Sequence, residues 1–182
     1  MGKKKIQGIM STAERDAIIH EDAKFKDGVS LRGFFRLQIE GPDGEIVGDS
    51  GWNENTVTND GKREYLVYTL GSLVGSKYLS YAALGEGSQP GAADTSLESE
   101  ISGTGGSTIR DAMTRQSNGS TALRCLGTFA STDSFVTTNE NISNIGLFRS
   151  SSAGTIFAGN TYASSTVGTN QNVNYTYDIT FT

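Results

Sequence analysis

Residues 172–182 read NVNYTYDITFT, and apolar and polar side chains alternate along this stretch without interruption. The apolar positions are Val173, Tyr175, Tyr177, Ile179 and Phe181. Because successive side chains of a β-strand point to opposite faces of a sheet, the alternation predicts a half-buried strand. All five apolar side chains are expected in the core, and the intervening polar ones on the outer face.

The same two-residue period occurs earlier in the chain. Phe35, Leu37 and Ile39 alternate with polar residues, and a Gly-Pro-Asp-Gly turn follows at 41–44. The Asn-Gly pair at 118–119 is a strong signal for a hairpin between its flanking segments. About seven such segments predict an all-β fold, mainly an antiparallel, jelly-roll-like β-sandwich with one or two short helices.

Residues 1–28 differ from the rest and are predicted to form an N-terminal arm on a sandwich domain over 29–182. Ser11 and Glu14 have the spacing of a capping box, which predicts a short helix near 12–20. A helix of that length cannot bury much surface alone. We therefore expect the arm to dock on its own body or on a neighbouring subunit.

Two further helical segments are predicted from capping residues. Residues 58–61 (Thr-Asn-Asp-Gly) are expected to begin a helix that continues to Leu70. Asp94 is expected to cap a single helical turn that carries Leu97 and Ile101.

The charge distribution excludes some partners. The chain of 182 residues has a net charge of −5, and all of the excess acid lies outside the arm, which is net positive. Binding to nucleic acid needs clustered Lys or Arg to neutralise phosphates, so the acidic body argues against it. We interpret the run Lys3 to Lys5 as a solvated terminus.

Cysteine usage and hydropathy restrict the setting of the protein. The single cysteine, Cys125, excludes an intramolecular disulfide framework and a cysteine-cluster metal site. Its strand neighbours favour a small buried side chain over a nucleophile. The sequence contains no apolar run of the ~20 residues that a membrane-spanning helix needs, and no signal-peptide pattern follows Met1. We expect folding in a cytoplasm.

Few residues could support chemistry, and each has a structural explanation. His20 is the only histidine and lies in the arm, which makes it a poor candidate for a catalytic triad or a zinc site. The closest carboxylate pairs are Asp43 with Glu45, Glu54 with Asp60, and Glu98 with Glu100. None has the spacing of a calcium-binding loop.

The structural explanations differ among these acids. Asp43 is assigned to a turn, Asp60 to the start of a helix, and Glu98 and Glu100 to a solvated helical face. The glycine-rich segment 103–107 lacks the lysine and the following helix of a phosphate-binding loop. We predict no catalytic, cofactor-binding or metal-binding residues.

Trp52 is the only tryptophan, and its surroundings are rich in Gly and Asn. It is interpreted as a core residue, with an exposed contact anchor as the alternative.

Several short motifs occur in a characteristic order. They are NTVTNDG at 55–61, YAALGEG at 81–87, PGAADTSLESE at 90–100, ISNIGLF at 142–148, and the alternating strand at 172–182. This succession resembles a diffuse group of virion proteins of tailed bacteriophages.

The resemblance covers roughly residues 30–182 and does not include the arm. It implies a β-sandwich virion component, and the group provides no catalytic residues to carry over. We expect a non-enzymatic virion structural protein, specifically a capsid decoration (cement) protein that stabilises the shell through arm and loop contacts. Its expected partners are the major capsid protein and copies of itself in a homotrimer. The expected location is the virion, assembled in the host bacterial cytoplasm.

Two alternatives stay open at this point. The chain could be a tail, baseplate, neck or fibre-adaptor component, with other tail proteins as partners. It could also be a carbohydrate-binding module, since sandwiches with exposed Trp and Tyr side chains can stack sugars.

Overall fold

The computed structural model describes residues 10–22, 31–62, 78–103, 109–120 and 122–181. Most of these residues lie in antiparallel strands, and helices are short. The predicted all-β class is confirmed. The predicted boundary between arm and body, at residue 28, lies outside the described residues.

The described part of the chain forms ten strands and two α-helices. The strands are β1 Leu31–Glu40, β2 Ile46–Asp49, β3 Asn53–Val57, β4 Tyr81–Gly85, β5 Arg110–Ala112, β6 Thr114–Ser117, β7 Ala122–Phe129, β8 Glu140–Phe148, β9 Ala158–Val167 and β10 Asn172–Phe181. The helices are α1 Thr12–Asp22 and α2 Asn59–Gly61, and a 3-10 turn spans Ser131–Asp133. No helix within the described ranges has the length and apolar character that crossing a membrane demands.

The strands form one antiparallel sheet in the order β5-β4-β8-β9-β3-β1-β10-β7-β6, with β2 beside β1. The two outermost strands, β5 and β6, are consecutive in the chain and only Met113 separates them. The first part of β3 pairs with β1, and its last two residues pair with β9. The ten strands therefore form one continuous sheet. It bends at β3 and at Met113, and the bends curl it into a nearly closed barrel.

The central ladder joins β1 to β10 over ten consecutive residue pairs, from Leu31 with Phe181 to Glu40 with Asn172. One face of this ladder points into the core. Four of the five apolar residues predicted to be buried on β10 are at most 3% exposed, and Phe181 is 36% exposed. The prediction is wrong for Phe181 because it lies at the last pair of the ladder, where the sheet offers little cover.

On the outer face of the ladder, two polar residues are more buried than the sequence predicts. Asp178 and Thr180 were expected in solvent, but they are 3% and 6% exposed. Phe34, which pairs with Asp178, is completely buried although it does not belong to the main core cluster. This part of the outer face is therefore covered.

The capping box that the sequence predicts in the arm is present. The backbone N–H of Ser11 donates to Oε2 of Glu14 at 2.7 Å, and the N–H of Glu14 donates to Oγ of Ser11 at 3.2 Å. These bonds satisfy backbone donors that would otherwise lack partners at the helix start. The predicted helix near 12–20 is confirmed as α1, which extends two residues further.

The remaining helix predictions have different outcomes. Thr58 caps α2, since its Oγ1 accepts a hydrogen bond from the N–H of Gly61 at 2.9 Å. The predicted continuation to Leu70 lies outside the described residues. The helical turn after Asp94 is wrong, because residues 91–100 form non-helical turns and the Asp94 carboxylate accepts from the N–H of Gly91 instead. Leu97 is still buried.

Replacing Gly61 by alanine should destabilise the fold by about 1–3 kcal/mol, the usual cost of overpacking. A Cβ at Gly61 would lie well inside van der Waals contact with the backbone carbonyl of Phe157, which cannot move without disturbing the neighbouring strand. Thermal and urea unfolding measure the loss. Gly91→Ala is the matched control, because its Cβ would meet only Asp94 at 3.7 Å. Equal stability of the two variants would contradict the prediction.

Candidate functional site

The arm is attached to the body through one buried arginine of α1. The capping box fixes the first turn of α1, and Arg15 follows it directly, with only 9% of its surface exposed. Its Nη1 donates to Oδ2 of Asp178 at 2.7 Å, and its guanidinium carbon lies 4.6 Å from the centre of the Trp52 ring. Arg15 therefore forms an ion pair with β10 and a cation–π contact with Trp52, the residue before β3.

The carboxylate of Asp178 is the centre of this attachment, which we call the Asp178 cluster: Arg15, Asn118, Arg124 and Asp178. Nε of Arg124 donates to Oδ1 of Asp178 and Nη2 donates to Oδ2, each at 2.7 Å. Nδ2 of Asn118 donates to Oδ2 at 3.3 Å. A buried carboxylate is stable only when its lone pairs are filled, and here both oxygens accept hydrogen bonds.

Strand register explains why these residues meet. Arg124 on β7 is the direct cross-strand partner of Asp178 on β10, so their side chains share the outer face. Asn118 lies in the turn between β6 and β7, where Gly119 adopts a φ of 82°. The arm, this turn and the centre of the sheet are therefore joined by one carboxylate.

The expectation that the arm docks is confirmed, and it docks on its own body. Met10 adds a backbone contact, an isolated antiparallel bridge with Trp52. Trp52 is 8% exposed and agrees with its interpretation as a buried residue, although Arg15 rather than the apolar core covers its ring. The sequence analysis missed Arg15, Arg124 and Asp178, because nothing in the sequence shows which charged residues face each other.

A second feature is a groove of about 360 Å³ between β2 and the second half of β9. Its lining combines core side chains with small polar ones: Leu37, Ile39, Val47, Gly48, Asp49, Ser50, Tyr162, Ala163, Ser164, Ser165, Val167 and Val173. We call it the β2–β9 groove.

Both walls of the β2–β9 groove are strand edges. Within the described ranges, β2 pairs with β1 alone, and residues 161–167 of β9 pair with β8 alone. The edges separate because β9 pairs with β3 only as far as Gly159. Beside the groove, Ile46 is 47% and Val47 is 60% exposed, which is unusual for aliphatic residues on an edge strand.

Asp111 is among the residues that line a smaller cavity of about 250 Å³. Burial raises the pKa of Asp111, and the nearby charge of Asp133 adds to the shift, while hydrogen bonds from Tyr175 and from backbone N–H groups oppose it. The Tyr175 hydroxyl donates to Oδ2 of Asp111 at 2.7 Å. Sequence reasoning did not single out Asp111, since its burial depends on the tertiary fold.

The acids examined in the sequence lie apart from one another. Asp43 accepts a hydrogen bond within its turn, Glu54 pairs with Arg32, and Asp60 lies in the first turn of α2. Within the described residues, no group of three or more His, Cys, Asp and Glu side chains is placed to hold a metal ion.

The predicted helical face of Glu98 and Glu100 is wrong, because their segment forms turns. Hydrogen bonds from the Ser88 side chain and N–H lower the pKa of Glu98. Glu100 binds Arg110 through both carboxylate oxygens, at 2.7 and 2.9 Å. Both acids thus stabilise loops.

The remaining reactive candidates are Cys125 and His20, and the structure describes the side chain of Cys125 only. Cys125 is completely buried, and burial raises the pKa of its thiol to about 12, which agrees with a structural role. The side chain of His20 lies outside the described part of the chain.

Comparison of the chain with known proteins gave no match to a family model, a curated protein or a solved structure.

Removing the central carboxylate should destabilise the protein more than removing the arm's arginine. Asp178→Ala removes the carboxylate that joins the buried Arg15 to the partly exposed Arg124, and it should cost about 3–5 kcal/mol. Arg15→Ala should cost about 1–3 kcal/mol, the worth of a charged hydrogen bond, because Arg124 still satisfies Asp178. Urea unfolding measures both, and hydrogen exchange should show α1 losing protection in Arg15→Ala.

The matched control for these variants is Arg36→Ala. Arg36 pairs with Asp49, and both side chains are about one-third exposed, so this ion pair is expected to contribute only about 0–1 kcal/mol. A cost for Arg15→Ala no larger than that of the control would contradict the role of the Asp178 cluster.

Asp111→Asn should stabilise the protein more at neutral pH than near pH 3.5. Because folding raises the pKa of Asp111, its contribution to stability is fully present below the unfolded pKa of about 3.9 and is lost as the pH rises through the folded value. Asparagine can still accept the Tyr175 hydrogen bond and cannot ionise. Urea unfolding of both proteins at the two pH values measures the difference, with Asp43→Asn in an exposed turn as control. An equal difference at both pH values would refute the prediction.

Proposed function

We propose that this chain is a non-enzymatic structural protein of a phage virion, specifically a capsid decoration protein. In this role the body lies on the shell, and the arm and neighbouring loops contact the major capsid protein or further copies of the chain. The sequence resemblance over residues 30–182 supports the virion class. The docking of α1 through Arg15 is the structural observation that carries the proposal.

The docked arm supports an assembly role because part of α1 stays exposed after docking. Arg15 binds Asp178 and lies over the Trp52 ring, while Thr12, Ala13 and Ala17 are exposed. A helix held in this way presents its exposed side to another protein. The ion pair of Arg15 with Asp178 fixes the position of the helix and leaves the exposed residues of the helix accessible to a partner.

The Asp178 cluster also places a loop next to the arm. Asn118 binds the same carboxylate as Arg15, so the turn between β6 and β7 lies beside α1 on one face of the barrel. A partner that binds α1 can reach this turn at the same time. Contact through arm and loop together is the arrangement expected of a protein that bridges shell subunits.

The alternative within the same class is a tail, baseplate, neck or fibre-adaptor component. Copy number separates the two, since a shell site repeats with the symmetry of the capsid. Gel quantitation against the major capsid protein in purified particles should give hundreds of copies for a decoration protein. A count of a dozen or fewer would move the proposal to the tail.

The carbohydrate-binding alternative depended on exposed aromatic rings, and Trp52 does not offer one. The ring is 8% exposed and Arg15 covers it. Tyr78 is 56% exposed, and the Arg115 guanidinium lies 4.5 Å from its ring centre, so one face of this ring is covered as well.

Deleting residues 1–28 should reduce occupancy on particles at least about tenfold while the body remains folded, if the arm supplies a major part of the contact area. Arg15→Ala should give an intermediate loss, because the helix is still present but no longer held in position. Sedimentation of purified protein with particles that lack it measures occupancy, and circular dichroism checks the fold. Ala13→Ser, on the exposed side of the same helix, is the control. Unchanged occupancy of the deletion variant would overturn the arm's role.

A further inference from the structure

The β2–β9 groove is a gap in an otherwise continuous ladder of strands. β2 runs parallel to β3, because both are antiparallel to β1, and β9 is antiparallel to β3. The two edges that face each other across the groove are therefore antiparallel. Each presents backbone N–H and C=O groups to the space between them, and the floor is apolar. This is the environment that an added β-strand requires.

The surroundings of the groove indicate that it is covered in the assembled protein. Edge strands in natural proteins are protected by short length, charge, proline or a bulge, because a free edge invites pairing. β2 is short, includes Asp49 and has a register irregularity against β1, yet Ile46 and Val47 are about half exposed on the edge itself. Aliphatic side chains at a free edge above an apolar floor are typical of a surface that another chain covers.

We propose that residues 3–9 of a second copy of this chain occupy the β2–β9 groove as an added strand. This segment reads KKKIQGI and directly precedes Met10. Ile6 supplies an aliphatic side chain for the floor. Seven residues in extended form span about 23 Å, at ~3.3 Å per residue, which exceeds the length of β2.

Charge complementarity fixes the direction of the added strand. The turn between β1 and β2 carries the exposed acids Asp43 and Glu45 at one end of the groove. Lys3 to Lys5 reach these acids when the segment runs parallel to β2. In that direction the segment is antiparallel to β9. Antiparallel pairing is slightly more stable than parallel pairing, and β9 offers the longer of the two edges.

The register of the docked arm explains why the occupant comes from another copy. Met10 pairs with Trp52 in antiparallel sense. In an antiparallel pair, residues that precede Met10 run toward residues that follow Trp52, which leads toward β3. A continuation of this bridge in the same sense would follow β3 rather than β2, so we assign the edge of β2 to a neighbouring copy.

Cross-linking between two differently labelled chains tests the proposal on the isolated protein. Both chains carry Cys125→Ala; one also carries Ile6→Cys and the other Val47→Cys. After mixing and oxidation, a disulfide-linked dimer of the two is expected. Ile6→Cys mixed with Tyr78→Cys is the control, because Tyr78 is exposed and does not line the groove.

Three outcomes would overturn the proposal. The first is equal cross-linking to the control position. The second is an intramolecular disulfide, without intermolecular product, in a chain that carries both Ile6→Cys and Val47→Cys, which would mean that the chain fills its own groove. The third is a strictly monomeric full-length protein at all concentrations.

A substitution in the groove provides an independent measurement. Val47→Asp places a charge on the edge and should raise the dissociation constant of the self-associated species at least about tenfold by analytical ultracentrifugation, since an exposed aliphatic contact is lost. Gln116→Asp, at an exposed position on β6 outside the groove lining, should leave it unchanged. Unaltered association of Val47→Asp would overturn the proposal. These results concern the isolated chain and are independent of its copy number in particles, so this inference and the proposed function can fail separately.

Discussion

The ladder between β1 and β10 is the constraint on which the rest of the structure depends. Its ten registered pairs place one set of side chains in the core and the other set on the outer face. Because the side-chain period is two, a slip by one residue would exchange these sets and put Asp178 into the apolar interior. The same register aligns Asp178 with Arg124 on the next strand, and it positions β3 beside β1. The arm's docking and the edges of the groove both follow from this one alignment.

The outer face of the ladder shows how a polar site can be buried without being reactive. Arg15, Arg124 and Asn118 provide as many donors as the Asp178 carboxylate can accept, so the charge is satisfied inside the protein. Replacing such a cluster with apolar residues can be neutral for stability in other proteins. Here the Asp178 cluster determines the position of α1. The planar guanidinium of Arg15 is held between a carboxylate and an aromatic ring, and this contact fixes the orientation of α1.

The sequence predicts well whatever depends on local pattern. The alternation at 172–182, the Asn-Gly turn and the Ser11–Glu14 box each depend on side chains a few residues apart, and each is confirmed. The failures concern tertiary surroundings. Phe181 is apolar but lies at the end of a ladder, Asp178 is polar but lies under an arm, and Glu100 lies in a turn where it pairs with the distant Arg110. The β2–β9 groove has no signature in sequence, since it results from two strands that part after Gly159.

The closeness of residues distant in sequence has a consequence for how the protein reaches its fold. Asn174 and Glu40 are hydrogen-bonded across the central ladder although 134 residues separate them. Contacts of such long range carry a high loop-closure entropy and are associated with slow folding. During synthesis β1 must wait without its main partner until β10 leaves the ribosome, and its apolar face is open to aggregation in that interval. High expression temperature or rapid translation should therefore limit the yield of soluble protein before they affect the stability of the folded state.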